Sequence, residues 1–366
     1  MIPDYIRQAL DLARQGAGRN SPNPAVGALF ERDGVVVGQG FHTYAGQKHA
    51  EIVALEEAGE AARGATLYIS LEPCCHQGRT GPCVDALIAA GVRRVVAAME
   101  DPTPRVAGQG FARLRAAGIE VSLAPEYAAE AESINEPFVH FMRTGRPLVF
   151  VKSAVTLDGK IAAPDDNRGW ITSEAARAHV QLLRHNADAI LTGIGTVLAD
   201  DCRLTDRTGL ERSRPLLRIV MDSQLRIPMQ SRMVMSARSD LVVATTSAAS
   251  PERRRALESA GVTVWTLDGP GGRVNLRGVV ERLGQESRLS LMIEAGSRVN
   301  WTALESGVAD KIFFYYAPKI LGGLQSIPVA GGPGRRSRKD AILLRNLKLH
   351  QITAEEFAVE AWVMKD

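Results

Sequence analysis

One histidine and two cysteines stand at spacings that suit a metal ion. His49 begins a predicted helix, and Cys74 and Cys83 bound a loop that follows a predicted strand and leads into the next helix. An imidazole and two thiolates are ligands that zinc prefers, and three protein ligands leave the fourth tetrahedral position to water. Zinc lowers the pKa of such a water towards neutrality, so hydroxide becomes available near pH 7. The set therefore predicts a catalytic zinc site.

An acid lies beside the predicted ligands. Glu51 is two residues after His49, and such neighbours do not share a helix face. It therefore fits a proton carrier better than a fourth ligand. Zinc deaminases show this division of roles: His-x-Glu, then Pro-Cys and a second Cys, with Glu as general acid and base. We predict Glu51 as the catalytic residue and His49, Cys74 and Cys83 as the metal ligands. A structural zinc, or cysteines unrelated to any metal, is the alternative.

Of the adjacent Cys74 and Cys75, the Pro-Cys pattern places the ligand at Cys74. Cys75 and His76 are then loop residues or neighbours of the ligands. Both ligand clusters lie at predicted helix starts, where the positive end of the helix dipole favours thiolates. Eight residues separate Cys74 from Cys83, whereas nucleoside and nucleic-acid deaminases have a gap of two. The longer loop contains Gly78–Thr80, whose groups suit a phosphate or the polar edge of a base.

Length and composition indicate a globular chain of two domains. The chain has 366 residues, more than the ~250–300 that one hydrophobic core usually serves. Hydrophobic residues make up 45% and charged residues 23%, and the net charge is only +3. These values exclude wholesale disorder and a protein that coats nucleic acid. No apolar run approaches the ~18 residues of a membrane span, and the first residues lack a signal-peptide pattern. We expect a cytoplasmic protein without nucleic-acid or membrane partners.

Strands and helices alternate along the chain, which predicts an α/β fold. The strands predicted in the first part are Ala25–Phe30, Val35–Gly38, Ala65–Leu71, Arg93–Met99 and Ile119–Leu123, and the helices are Pro3–Gln15, His49–Ala58, Val84–Ala90 and Glu126–Met142. Gly145 and Pro147 then mark a helix stop and a boundary, so we predict domains at 1–145 and 146–366. The strands predicted in the second part are Leu148–Val155, Ala189–Thr192, Leu217–Met221, Leu241–Ala244, Val262–Thr266, Leu289–Glu294, Lys311–Ala317 and further strands within Leu347–Val363; the helices include Ser173–Asn186 and Pro251–Ala260.

A glycine-rich turn in the second part invites a dinucleotide-binding assignment. Thr192–Thr196 follows an apolar predicted strand and contains Gly193 and Gly195. The Rossmann fingerprint needs a third glycine, where this chain has Leu198, and an acid at the usual distance further on. The pattern therefore argues against a Rossmann site, and a tight turn is the simplest interpretation.

Motifs spread over nearly the whole chain occur in a fixed order. They are Ser21–Gly27, Gly40–His42, His49–Glu51, the loop from Cys74 to Cys83, Asp101–Pro104, Lys152–Ala162, Trp170–Ser173, Gly193–Thr196, and Asp200 with Asp201. Taken together, they resemble the family of bifunctional deaminase/reductases of riboflavin biosynthesis.

The resemblance implies two folds and two reactions. The first domain would have the three-layer cytidine-deaminase fold, and the second would resemble dihydrofolate reductase. The first reaction hydrolyses the ring amino group of 2,5-diamino-6-(5-phosphoribosylamino)pyrimidin-4(3H)-one. The second reduces the ribosyl group of 5-amino-6-(5-phosphoribosylamino)uracil to ribityl. The implied cofactors are zinc and NADPH, the implied partner is a small phosphorylated pyrimidine, and we expect a homo-oligomer.

The resemblance also implies site residues. Asn23 would bind the pyrimidine in the deaminase domain. The cofactor neighbours in the reductase domain would be Ala154, Trp170, Thr196, Asp200, Ser223, Gly296, Ser297, Arg298, Val299 and Asn300, of which the last five form a Gly-led helix start suited to a pyrophosphate. The substrate contacts there would be Arg168, Arg184, Leu204, Arg207 and Glu294, and arginine forks suit phosphate.

Several alternatives stay open. Asn23 could be a turn residue before Pro24, and the arginines could be solvated surface, with Arg184 facing water. Lys152 and Asp158 are either catalytic or structural. The basic clusters Arg253–Arg255 and Arg335–Lys339 fit a solvated helix face and a mobile loop better than a nucleic-acid site, because no aromatic residues are interleaved with them.

Two other functions compete with the two-step enzyme. One is a nucleoside or nucleic-acid deaminase whose second half is a binding module, which the eight-residue cysteine gap disfavours. The other is a non-catalytic zinc scaffold, which has no use for Glu51.

Overall fold

The chain forms an α/β protein of two compact units, and the α/β prediction is confirmed. The computed structural model describes residues 4–16, 18–44, 46–75, 81–103, 106–165 and 167–365. One unit comprises Met1–Gly145 with Glu211–Arg214, and the other comprises Arg146–Leu210 with Pro215–Asp366. Across the described ranges, no helix combines the length and the apolar character that crossing a bilayer would require.

The first unit is built on a sheet of five strands within the described residues. Its helices α1–α6 are Tyr5–Gly16, Ala50–Ala58, Cys83–Ala90, Gln109–Ala116, Ala128–Ile134 and Glu136–Thr144, and its strands β1–β5 are Gly27–Arg32, Val35–Phe41, Thr66–Ile69, Arg94–Ala97 and Glu120–Leu123. The strand order is β2-β1-β3-β4-β5. β1 pairs antiparallel with β2 and β3, whereas β3, β4 and β5 are parallel. β1 and β2 therefore form a hairpin.

Helices cover both faces of this sheet. Successive residues of a strand point to opposite faces. Ala28 shares a buried cluster with Ala50 and Ala54 of α2, whereas a Cβ on Gly27 would lie 2.1 Å from the carbonyl oxygen of Ala9 in α1. Gly27 is thus the residue that lets α1 approach the strand. The result is the expected three-layer arrangement.

The single helix predicted over Glu126–Met142 was wrong. The structure has α5 and α6 instead, separated at Asn135. Pro137 has no N–H to donate to the carbonyl four residues earlier, and its ring clashes with that carbonyl. The Asn135 side chain bonds both backbone groups of Ala25, accepting from its N–H at 2.7 Å and donating to its oxygen at 2.9 Å. The break thereby holds the segment that leads into β1.

The second unit contains a large, mainly parallel sheet. Its helices α7–α12 are Glu174–Asn186, Ile194–Asp200, Arg232–Met235, Pro251–Ser259, Leu276–Gln285 and Ser297–Glu305; its strands β6–β16 are Leu148–Thr156, Lys160–Ala162, Ala189–Gly193, Leu217–Met221, Leu241–Thr245, Thr263–Thr266, Ser290–Ile293, Lys311–Ala317, Ile327–Pro328, Leu344–Gln351 and Phe357–Val363. Among the described residues, the sheet order is β11-β10-β9-β8-β12-β6-β13-β16-β15, and β7 pairs with β14 separately. Within the described part of the large sheet, only the pairings of β16 with β13 and β15 are antiparallel, and the separate pair of β7 and β14 is antiparallel as well.

Two apolar clusters fill the two faces of this sheet. In β8, Ala189 and Leu191 belong to one cluster and Ile190 to the other. In β12, Leu291 and Met292 divide in the same way. Because the parallel strands all end at one edge, the segments that follow β8, β9 and β12 converge there, and open α/β sheets bind ligands at this edge.

Candidate active sites

Three side chains of the first unit form a metal-binding group. His49 caps the start of α2, Cys83 is the first residue of α3, and Cys74 lies in the segment after β3. Their ligand atoms lie within 4.8 Å of one another. His49 Nδ1 is 3.2 Å from Cys83 Sγ and 3.4 Å from Cys74 Sγ. A tetrahedral zinc site places nitrogen and sulfur ligands about 3.6 Å apart, so this donor set fits zinc.

Of the two thiols, Cys74 is the one that is favoured as the thiolate. Cys83 donates to Cys74, which lowers the pKa of Cys74 to about 4 and raises the pKa of Cys83. The backbone N–H of Cys83, at the start of α3, also donates to Cys74 Sγ at 3.3 Å. Since zinc binds thiolates, this helix start supplies the charge stabilisation that the sequence predicted.

Glu51 is buried next to these ligands, with 3% of its surface exposed. Burial, and then the neighbouring Cys74, raise the pKa of Glu51 to about 7, and the carboxyl group lies within hydrogen-bond reach of Cys83. A buried carboxyl beside a metal site can take a proton from water and return it to a substrate.

Cys75 is not a member of the metal-binding group. Its carbonyl accepts from Arg113 at 3.3 Å, and the group consists of His49, Cys74 and Cys83 among the described residues. His76 and the Gly78–Thr80 part of the loop lie outside the described residues.

Asn23 is oriented by a histidine that sequence reasoning missed. His42 Nδ1 lies 3.0 Å from the carbonyl oxygen of Lys48; a carbonyl only accepts, so this nitrogen carries the proton. Nε2 therefore accepts from the Asn23 amide nitrogen, 3.0 Å away. The amide oxygen of Asn23 is left to accept from another group, such as a pyrimidine N–H. The His42 ring also meets the His49 ring edge-on at 5.3 Å, which ties Asn23 to the metal-binding group.

In the second unit, the start of α12 lies beside α8. Gly296 precedes α12 without a side-chain cap, and a Cβ added to it would lie 3.7 Å from Thr196 Oγ1. No hydrogen bond within the described ranges uses the amides of Ser297 and Arg298. Free amides at a helix start bind phosphate, so this edge of the sheet fits a dinucleotide cofactor.

Asn300 fixes this helix to the sheet. Its amide nitrogen donates to Ser153 Oγ at 3.0 Å and to the carbonyl of Val329 at 2.8 Å. Its buried amide oxygen has no partner among the described residues. Ser297 donates to the carbonyl of Pro328, and Arg298 is exposed. Of the five predicted residues here, Ser297 and Asn300 thus also have structural contacts.

The other predicted cofactor residues are spread around the same edge. Ala154 lies on β6, and Asp200 is the exposed last residue of α8. Ser223 follows β9 and accepts from the Val274 N–H at 3.2 Å. Trp170 is 69% exposed, and the Arg177 guanidinium lies 4.8 Å above its ring.

Arg184, Glu294 and Lys152 form a buried ion cluster. Glu294 follows β12 and accepts from Lys152 Nζ at 3.0 Å and from Arg184 Nε at 3.0 Å. Burial raises the pKa of Glu294, but Lys152 and Arg184 lower it more, to about 2. Only 8% of the Arg184 surface is exposed, so the alternative that Arg184 faces water was wrong. Lys152 belongs with the predicted substrate residues, although the sequence left its role open.

The remaining predicted substrate residues lie in two segments outside the helices and strands. Leu204 is buried with a positive φ of 49°, and Arg207 is exposed. The Arg207 N–H donates to Gln181 of α7 at 3.0 Å. Arg168 lies in the exposed segment after β7.

Two residues of uncertain role have structural contacts. Asp158 accepts from the backbone N–H groups of Leu321 and Gly322, at 3.2 and 2.7 Å. Arg253 donates to the carbonyls of Leu225 and Ile227. The interpretation of Arg253 as part of a solvated helix face was therefore wrong.

Comparison with known proteins identifies both units. Residues 2–99 match the family model of the cytidine and deoxycytidylate deaminase zinc-binding region, and residues 147–358 match that of the RibD C-terminal domain. The chain is 40% identical to the riboflavin biosynthesis protein RibD of Actinobacillus pleuropneumoniae, covering 98% of this chain and 94% of the relative.

Solved structures agree over the full length. Acinetobacter baumannii RibD superposes with a TM-score of 0.88 at 33% identity, covering 99% of this chain and 98% of that one. A Thermotoga maritima protein described as a diaminohydroxyphosphoribosylaminopyrimidine deaminase/5-amino-6-(5-phosphoribosylamino)uracil reductase has a TM-score of 0.83 at 32% identity, with 98% of each chain covered.

The match over residues 147–358 overturns the hypothesis of a nucleoside or nucleic-acid deaminase whose second half is a binding module, and it also overturns the hypothesis of a non-catalytic zinc scaffold. The reductase domain of this family uses NADPH, and the first domain is of a zinc-binding kind, so both predicted cofactors are confirmed. The chain belongs to the RibD family of riboflavin biosynthesis proteins, bifunctional enzymes that join a zinc-binding deaminase domain to a reductase domain.

Proposed function

We propose that the first domain, residues 1–145, deaminates 2,5-diamino-6-(5-phosphoribosylamino)pyrimidin-4(3H)-one by hydrolysis. The second domain, residues 146–366, then reduces 5-amino-6-(5-phosphoribosylamino)uracil to its ribityl form. The Thermotoga maritima relative is described by these two activities. The observation that carries the proposal is the convergence of three zinc-ligand atoms within 4.8 Å, with the buried Glu51 carboxyl beside them.

For the deamination, His49, Cys74 and Cys83 are the residues that would hold zinc. When bound, zinc polarises a water molecule and makes it a nucleophile near neutral pH. Glu51 takes a proton from the attacking water and delivers it to the ring nitrogen next to the amino-bearing carbon. The carbon–nitrogen bond to the amino group then breaks, and a proton relayed by Glu51 leaves with ammonia. Water and the amino group are thus exchanged for a carbonyl and ammonia.

Asn23 binds the base during this reaction. Its amide nitrogen is engaged by His42 at 3.0 Å, so its amide oxygen accepts from a pyrimidine N–H. This contact would fix the orientation of the pyrimidine ring, and productive placement of reacting atoms is a large part of catalysis.

In the reduction, NADPH supplies the hydride. The residues that bind it are Ala154, Trp170, Thr196, Asp200, Ser223 and the helix start Gly296–Asn300. The amides of Ser297 and Arg298 would bind a phosphate of the cofactor. The residues that bind the pyrimidine substrate are Arg168, Arg184, Leu204, Arg207 and Glu294.

Opening of the ribosyl ring to ribityl also requires a proton at the sugar oxygen. The Lys152 ammonium lies 3.0 Å from Glu294 and 5.7 Å from the centre of the Tyr315 ring. It is a buried donor among the substrate residues, and we assign it this proton. Glu294 is the carboxylate partner of this ammonium group.

We also propose a cytoplasmic homo-oligomer. The neighbouring thiols of Cys74, Cys75 and Cys83 are free, and thiols stay reduced in the cytoplasm. The outermost strand β15 exposes Leu347 by 60% and Leu349 by 73%. An exposed apolar sheet edge favours pairing with another chain, which light scattering after size exclusion tests directly.

The test of the two activities is a coupled assay. The purified chain is given the phosphorylated diaminopyrimidine with NADPH, and both ammonia release and NADPH oxidation are followed. The expected result is that both occur in sequence, and that a metal chelator stops both with this substrate. NADPH oxidation with the deaminated uracil substrate continues in the chelator. Failure of the untreated chain to oxidise NADPH with either substrate would overturn the proposal.

A further inference from the structure

A buried histidine–aspartate pair joins α7 to the segment that carries Leu204 and Arg207. We propose that His185 and Asp206 are positioning residues of the reductase reaction, which fix the segment 204–207 in the shape that binds the pyrimidine substrate. This inference rests on the proposed function, because it takes Leu204 and Arg207 as substrate contacts.

The pair is tightly built. His185 Nδ1 lies 2.9 Å from Asp206 Oδ2, and the side chains are 4% and 9% exposed. The other carboxylate oxygen accepts from the Thr208 N–H at 2.9 Å and from its hydroxyl at 2.8 Å. Both oxygens of Asp206 therefore have hydrogen-bond partners. One binds His185 of helix α7, and the other binds Thr208, two residues further along the chain.

Helix α7 holds three successive residues of this segment. Gln181 accepts from the N–H of Arg207 at 3.0 Å, Arg184 donates to the carbonyl of Thr205 at 3.0 Å, and His185 binds Asp206. Positions 181, 184 and 185 are spaced three and four apart, so they share one face of the helix. The segment is thus attached along a single helix face.

The backbone of the segment needs this support. Leu204 has a φ of 49°, a left-handed conformation that is unfavourable for a side chain with a Cβ. Such conformations persist where the surrounding contacts over-determine them, and they are common at ligand-binding segments. Hydrogen bonds to Thr205 and Asp206, the next two residues, supply that constraint.

The same helix reaches the buried ion cluster. Arg184 donates to Glu294 with one part of its guanidinium and to the Thr205 carbonyl with another. Helix α7 therefore joins the 204–207 segment to Glu294. Loosening the His185–Asp206 link should weaken binding of the pyrimidine substrate, while the start of α12, which binds NADPH in our proposal, keeps its own contacts.

Two substitutions of one residue separate the positioning role from a general effect on folding. His185→Leu keeps bulk but removes the donor, whereas His185→Asn puts a side-chain N–H near the place of Nδ1. With the deaminated uracil substrate, we expect His185→Leu to raise KM about tenfold, the size of a lost hydrogen bond to a charged group. His185→Asn should stay within about twofold of wild type. KM for NADPH and the deaminase rate should not change in either variant.

A milder variant covers the case in which His185→Leu does not fold. Thr208→Val removes the hydroxyl that donates to Asp206 and accepts from the Leu210 N–H, and we expect it to raise the same KM about threefold. Hydrogen exchange at the amides of Thr205–Thr208 should speed up in His185→Leu and Thr208→Val but not in His185→Asn.

The outcomes are distinct. Equal KM values in wild type, His185→Leu and Thr208→Val, or equal increases in the Leu and Asn variants, would overturn the positioning role while the reductase assignment stands. A wild-type chain that neither binds nor reduces the uracil substrate would overturn the proposed function, and the inference with it.

Discussion

Lys152 Nζ lies 3.0 Å from Glu294 Oε1, across the neighbouring strands β6 and β12. Arg184 holds the other carboxylate oxygen of Glu294. The cluster places one negative and two positive side chains at the edge of the sheet where the reductase substrate binds in our proposal. Because the Glu294 carboxylate has two cationic partners in the folded protein, we expect the free energy of unfolding to decrease in acid, where this carboxylate becomes protonated.

The first prediction is a loss of stability in acid. Glu294 has its pKa lowered from 4.5 to about 2. Below pH 4.5 the unfolded carboxyl binds a proton that the folded one does not, so the stabilisation is present above pH 4.5 and is lost as the pH falls towards 2. A shift of this size corresponds to about 3 kcal/mol in the free energy of unfolding.

Urea unfolding at a series of pH values measures this effect. Tryptophan fluorescence reports on the second unit, because all four tryptophans, Trp170, Trp265, Trp301 and Trp362, belong to it. Glu294→Gln should be less stable than wild type at pH 7, by about 3–5 kcal/mol, since two buried cations lose their partner. The difference in the free energy of unfolding between wild type and Glu294→Gln should decrease as the pH falls from 5 to 2.5. A difference that stays constant over this pH range would contradict the claim that Glu294 is ionised and paired with Lys152 and Arg184.

The second prediction concerns Glu51. Glu51→Gln keeps the size of the side chain but cannot carry the proton, so deamination should fall by about 10²–10⁴-fold. Zinc content and NADPH-dependent reduction of the deaminated substrate should stay at the wild-type level. Ammonia release, metal analysis and NADPH oxidation on the same preparation check all three. Loss of both activities in a folded variant would show that the two reactions do not have separate sites.

The third prediction distinguishes the adjacent cysteines. Cys74→Ser should lose zinc and the deaminase activity, because Cys74 Sγ faces His49 Nδ1 at 3.4 Å. Cys75→Ser is the matched control and should retain both. Zinc per chain, measured after dialysis against a weak chelator, decides between them. Retention of zinc by Cys74→Ser together with its loss in Cys75→Ser would reverse the assignment.

The fourth prediction tests the cofactor edge. A Cβ on Gly193 would lie 2.9 Å from Cγ2 of Val299, whereas one on Gly195 would meet nothing within 4 Å. Gly193→Ala should push the start of α12 away from α8 and raise the Kd of NADPH several-fold. Gly195→Ala should leave it unchanged. Calorimetric titration with NADPH measures both Kd values. Equal affinities in the two variants would show that the start of α12 around Val299 is not part of the cofactor site.

The metal-binding group was predictable from the sequence because its parts are local. His49 and Cys83 lie at helix starts, and helix starts have recognisable patterns, so the positions of these two ligands followed from the chain itself. The role of His42 did not follow, because it depends on which ring nitrogen faces the Lys48 carbonyl. That relationship exists only once the segment before α2 is folded.

The second unit was less predictable for a physical reason. Arg184 lies on an amphipathic helix, and a charged residue there is equally compatible with solvent and with a buried partner more than a hundred residues away. Glu294 supplies that partner, and no short-range pattern encodes the pairing. The break at Asn135 was missed because its cause includes a contact with the distant Ala25 as well as the nearby Pro137.

The most direct test of the central claim is X-ray absorption at the zinc edge on the purified chain. We predict one zinc per chain, with two sulfur ligands at about 2.3 Å and two nitrogen or oxygen ligands at about 2.0–2.1 Å, one from His49 and one from solvent. The Cys75→Ser variant should give the same spectrum. A third sulfur ligand, or a chain that holds no zinc, would contradict an open catalytic site formed by His49, Cys74 and Cys83.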